Sequence, residues 1–147
     1  MSKASYVYVT YISTTPEKLW DALINQEMTK QYWNHNNVSD WKPGSRWEHQ
    51  RSDKPGVVDL IGKVLESDRP RRLVISWAYP KDEGNPGKTS RVTFEIDTQD
   101  DTTRLTVTHD NLEPASDTLQ AISRGWPIVL SGLKTLLETG RPLPLKL

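Results

Sequence analysis

Hydrophobic and polar positions change their period twice along these 147 residues. Residues 6–12, Tyr-Val-Tyr-Val-Thr-Tyr-Ile, are β-branched or aromatic throughout and predict a strand. A helical signal follows. Thr15 is placed as an N-cap, Pro16 as the first helical residue and Glu17 in the first turn. Leu19, Trp20, Leu23 and Ile24 then give one apolar face, and a second short helix is predicted over residues 27–32. The segment Asn34-His35-Asn36-Asn37 reads as a loop with His35 solvated.

From residue 46 the period becomes two. Residues 46–51 alternate aromatic and charged side chains, and residues 57–66 form another strand with Gly62 at a bulge or close backbone approach. Leu73, Ile75, Trp77 and Tyr79 share a face, as do Val92, Phe94 and Ile96, and Leu105, Val107 and His109. Thr93, Glu95, Arg104, Thr106 and Thr108 are assigned to the opposite, wet face. Turns at 42–45, 53–56, 68–71 and 99–102 join these strands. Such short connections favour an antiparallel meander over parallel units. Residues 80–88 form a Gly/Pro/charged loop, read as a surface hairpin or a mobile lid.

The last change is to a helical period. Across residues 117–139, Leu119, Ile122, Trp126, Val129, Leu130, Leu133, Leu136 and Leu137 fall in one stripe about 120° wide. Gln120, Ser123, Arg124, Ser131, Lys134 and Glu138 fall opposite. That stripe must be laid against the sheet. Pro127 lacks a backbone donor and clashes with the preceding turn, so the segment is either one helix with a kink or two helices meeting there. Gly140 and Pro142 stop it, and the tail through Leu145 is expected to be frayed or loosely docked. With no repeat or linker, residues 1–147 are expected to form a single α+β domain.

Hydrophobic residues make up only 35% of the chain, and the mean hydropathy is −0.67. Six Trp and five Tyr offset this, because each aromatic buries about 150–250 Å². A core of few, large, rigid groups favours gaps. Basic and acidic residues balance at 19 each, with no basic stripe to attract nucleic acid or an anionic membrane. No run approaches the length of a membrane helix, and the start, Met1-Ser2-Lys3-Ala4, lacks the apolar core of a signal peptide. The absence of cysteine excludes disulfides and thiolate chemistry and fits a reducing compartment. A soluble cytoplasmic protein is the expectation.

Several segments, in order, resemble one superfamily. They are Thr15-Pro16-Glu17-Lys18-Leu19-Trp20-Asp21-Ala22-Leu23, then Gln31-Tyr32-Trp33, then Ser39-Asp40-Trp41-Lys42-Pro43-Gly44. Further on stand Gly62-Lys63-Val64-Leu65-Glu66, Pro70-Arg71-Arg72-Leu73, Thr108-His109-Asp110, Gly125-Trp126-Pro127 and Leu136-Leu137-Glu138-Thr139-Gly140. Together they resemble the SRPBCC (START/Bet v 1-like) superfamily, in the branch of activator of Hsp90 ATPase homologue 1-like (AHSA1-like) domains. The resemblance implies a helix-grip fold. A curved antiparallel sheet of about six strands would wrap a long C-terminal helix, with two short helices after the first strand. It implies little about activity, because this fold hosts carriers, receptors, cyclases and cochaperones.

The candidate site is the space between the last helix and the inner strand faces. Alternation points Trp47, His49, Trp77, Tyr79, Val107 and His109 inward, with Trp126 above them and Tyr32 and Trp33 closing one end. A mainly apolar hollow with a few polar tips suits a small apolar or aromatic molecule. Each aromatic taken alone reads first as core packing, and it is the group together that suggests a cavity. His49 or His109 could serve as general acid or base in an enzyme of cyclase or hydrolase type. No third ligand joins them, beyond a guess at Asp59 or Asp110, so neither metal nor cofactor is expected. Asp97, Asp100 and Asp101 read as turn chemistry. Regulation of an Hsp90-type ATPase follows only from the family name, and a homodimer through an edge strand or an exposed Trp stays open.

Overall fold

The computed structural model describes residues 3–144. Met1, Ser2 and the end of the tail from Leu145 onward lie outside the described residues, so the expectations for those positions have no structural counterpart here. Seven strands and three helices follow the order β1 (Ala4–Ile12), α1 (Pro16–Ile24), α2 (Gln26–Trp33), β2 (His35–Val38), β3 (Arg46–Arg51), β4 (Val58–Asp68), β5 (Arg72–Trp77), β6 (Ser90–Gln99), β7 (Thr102–Leu112) and α3 (Asp117–Thr139). The strands form one antiparallel sheet in the order β1-β7-β6-β5-β4-β3-β2. This is the expected helix-grip architecture, with α3 gripped by the curved sheet.

The seventh strand is β2, in the segment expected to be a loop. Asparagine has poor strand propensity, but tertiary pairing overrides it. Asn37 faces His49 and His35 faces Arg51 across the β2–β3 ladder, while the Asn37 amide donates to Thr29 Oγ1 of α2 at 3.1 Å. Asn34 caps α2 in the left-handed region and turns the chain into β2. His35 is therefore a packed strand residue, its side chain only 17% exposed.

The helix signals act as predicted. Thr15 accepts from the Lys18 amide, and Pro16 opens α1. Gly140 closes α3 in the left-handed region, and Ser116, which is not among those signals, caps its start. Pro127 lies inside one helix, which settles the two alternatives. The stripe of α3 is the buried face: Ile122, Trp126, Val129, Leu130, Leu133 and Leu136 join the sheet's inner residues in one core. On the outer face Thr93 is buried rather than wet, in the middle of the sheet between Val74 and Thr108.

Two local features shape the inner face. Gly62 is opposite Trp47, and a Cβ there would stand 1.9 Å from the Ser76 carbonyl oxygen and 2.5 Å from Trp47 Nε1. The close approach is what lets the Trp47 indole donate to that carbonyl at 2.7 Å. Between His49 and Gln50 the β3–β4 register shifts, so that Asp59 is the extra, unpaired residue of a bulge. Bulges re-aim side chains, and this one turns Asp59 toward His35.

Candidate functional site

A cleft of about 420 Å³ lies between the N-terminal half of α3 and the inner face of β3–β5. Its helical wall is Thr118, Ala121, Ile122, Gly125, Trp126 and Val129, positions that share one face at spacings of three and four. Ala121 and Gly125 are small, which leaves the room. The opposite wall is Trp33, Trp77 and Leu60, and the rim carries His35, His49, Asp59 and Tyr79.

Trp33, Trp77 and Trp126 form a triangle of indoles, with ring centroids 5.4 to 6.3 Å apart. The tilted and stacked geometry is the favourable one for aromatic pairs. All three indoles line the cleft, while Trp47 is fully buried outside the lining.

The two histidines expected to face inward differ. His109 is fully buried and has both ring nitrogens occupied. The Trp126 indole N–H donates to Nδ1 at 3.1 Å, and Nε2 lies 2.8 Å from Ser90 Oγ. An indole can only donate, so Nδ1 carries no proton and Nε2–H donates to Ser90. The Ser90 hydroxyl in turn donates a hydrogen bond to the Trp77 carbonyl at 3.3 Å. Burial lowers the His109 pKa to about 4, against a smaller opposing pull from Asp110. His109 is a neutral latch between β7 and α3, and it does not line the cleft.

His49 is 3% exposed and reaches the rim. Its Nδ1–H donates to Asn37 Oδ1. Burial, and then the neighbouring His35 ring, hold its pKa well below the ordinary value. The two imidazoles stack with centroids 3.8 Å apart and planes 7° from parallel. His35 itself faces two acceptors. Nδ1 lies 2.9 Å from the Trp33 carbonyl and Nε2 lies 2.8 Å from Asp59 Oδ2. Both bonds are satisfied only when each nitrogen carries a proton. Partial burial pushes the Asp59 carboxyl up, but hydrogen bonds from His35 and Arg51 outweigh it and leave the pKa lowered.

Of the eight aromatic and histidine residues the sequence singles out, Trp33, His49, Trp77, Tyr79 and Trp126 line the cleft. Tyr79 lies beyond the end of β5 and is 40% exposed. Tyr32, Trp47 and His109 lie outside the lining. Tyr32 donates its hydroxyl to the Ala22 carbonyl at 2.7 Å, and burial pushes its pKa up. His35, Asp59, Leu60 and the small residues of α3 are lining positions that the alternation argument misses. The bulge at Asp59 and the strand at His35 both depend on long-range pairing, and only the Ala121/Gly125 spacing on the α3 stripe was a readable sign. Among the described residues no group of three His, Cys, Asp or Glu side chains is arranged to hold a metal. No helix among them is long and apolar enough to cross a membrane.

Comparisons with known proteins agree with this architecture. CalU16 from Micromonospora echinospora is 24% identical and superposes with a TM-score of 0.75, covering 97% of this chain and 78% of its own. The Aha1 dimer from Colwellia psychrerythraea is 20% identical at a TM-score of 0.76, covering 93% of this chain and 98% of its own. ChR145 from Cytophaga hutchinsonii is 28% identical at a TM-score of 0.72, over 93% and 95%. Curated protein sequences gave no match. The pattern of the Activator of Hsp90 ATPase homolog 1-like protein family matches residues 13–138. It runs from the loop after β1 almost to the end of α3, and the chain belongs to that family.

Proposed function

We propose that the cleft binds a small, flat, apolar or aromatic molecule, with Trp33, Trp77, Trp126, Ile122 and Val129 as its contact surface. The observation that carries this reading is the roughly 420 Å³ of space left between α3 and the sheet and lined by three indoles. Burying ~200 Å² of apolar ligand surface contributes on the order of 5 kcal/mol before association costs, which supports micromolar binding. A thermal-shift screen of bicyclic aromatics tests it, with Ala121→Trp as the blocked control. The expected result is a raised Tm that the variant loses. No shift with any compound would overturn the reading. An enzymatic role for this site would rest on His49, because His109 is closed off by Trp126 and Ser90.

Self-association is a second reading, supported by β1. It is an edge strand whose outer face exposes Val7, Val9 and Tyr11, and exposed apolar edges invite pairing. Sedimentation tests it: a dimer that Val9→Lys converts to monomer agrees, and a wild-type monomer at high concentration rules it out. Regulation of an Hsp90-type ATPase is the reading that the family name supports, and an ATPase assay with and without this protein decides it.

A further inference from the structure

We infer that the cleft selects an uncharged aromatic molecule carrying one hydrogen-bond donor on its rim, an N–H heteroaromatic or a phenol, and that His49 Nε2 is the acceptor. This rests on the cleft-binding reading and goes further by naming the polar group that reads the ligand. Asn37 lies opposite His49 across the β2–β3 ladder and takes the Nδ1 proton. That leaves Nε2 as a bare acceptor. Nε2 has no protein partner among the described residues. The sole fully buried side-chain nitrogen or oxygen without one there is Arg104 Nε, so Nε2 keeps exposed surface, and the cleft is the space that His49 lines. The parallel His35 ring, held by the Trp33 carbonyl and Asp59, fixes the plane of His49 and the direction of that lone pair.

The one carboxylate that lines the cleft is already engaged. Asp59 accepts from Arg51 Nε at 3.0 Å as well as from His35, so no free carboxylate remains to draw in a cation. An apolar ligand that expels water from the cleft strands the Nε2 acceptor, whereas a ligand with a donor satisfies it. An acceptor left unpaired is penalised more than a formed bond is rewarded. Donor-bearing rings are therefore selected over donor-less rings of the same outline.

Indole and benzothiophene make the test pair, since the second replaces the N–H with sulfur and is otherwise the more hydrophobic. Dissociation constants are measured by calorimetry on the wild-type chain. The ring nitrogens of ¹⁵N-histidine-labelled protein are followed by NMR in the same titrations. The expected result is about tenfold tighter binding of indole, with the His49 Nε2 resonance moving upfield only on adding indole. Equal or tighter binding of benzothiophene, with the Nε2 resonance unmoved, overturns the donor inference and leaves the cleft reading standing. If neither compound binds up to its solubility, the cleft reading fails and this inference fails with it.

Discussion

The two halves of α3 carry the same apolar stripe and meet different surroundings. In the C-terminal half, Leu130, Leu133 and Leu136 are buried, and Gly132 brings the helix against Tyr32, where a Cβ would come within 3.4 Å. Polar ties fasten the same half. Lys134 donates to the Tyr11 carbonyl at 2.6 Å, and Glu138 accepts from the Ser13 amide at 2.8 Å. In the N-terminal half the stripe is flanked by Ala121 and Gly125, and the cleft opens there. A helix period reports which face is covered. The size of the residues flanking the stripe decides whether the cover is tight.

The contrast is best broken by deleting equivalent apolar volume from each half. Leu133→Ala removes a fully enclosed side chain and is expected to cost about 4 kcal/mol, against about 2 kcal/mol for Ile122→Ala beside open space. Urea unfolding measures both, and equal costs would mean that the N-terminal half is packed as tightly as the other.

Acid probes the latch where the halves meet. The His109 pKa is lowered by burial to about 4 from an ordinary value of 6.5, so the unfolded chain takes up the proton first as pH falls. Stability is fully present above about pH 6.5 and is lost on the way down to about pH 4, with about 2 kcal/mol gone between pH 7 and pH 5 from this group alone. His49, also lowered by burial, acts in the same direction. A urea midpoint unchanged over that interval contradicts the neutral latch.

Smaller effects sharpen the picture. Ser116→Ala removes the cap whose oxygen accepts from the Leu119 amide at 3.1 Å and is expected to cost about 1 kcal/mol. Hydrogen exchange should show the loss concentrated in the first turns of α3, and uniform loss along the helix would argue against semi-independent halves. Ala121→Trp, at an exposed lining position, should change stability by no more than about 0.5 kcal/mol. The same variant should abolish aromatic binding.

The sequence made the sheet, both early helices and the long helix legible because each rests on local chemistry: alternation, the Thr15-Pro16 cap and the α3 stripe. It placed Trp33, Trp77 and Trp126 correctly toward the interior. It missed β2, because Asn36 and Asn37 are weak strand formers whose pairing with β3 is decided at long range. Asp59 was invisible as a lining residue because a one-residue bulge sets its direction. Alternation also assigns a face and not a depth. Trp47 and His109 point inward as expected, yet Ser76, Ser90 and Trp126 claim their polar atoms and seal them away.

The bond from Trp126 to His109 pins the long helix to β7 near its middle. Sliding the helix by even one residue would uncouple the indole from the imidazole, so the rod cannot act as a piston that resizes the chamber. Any redesign for bulkier or slimmer guests would work through substitutions at positions 121 and 125, with the scaffold left where it stands.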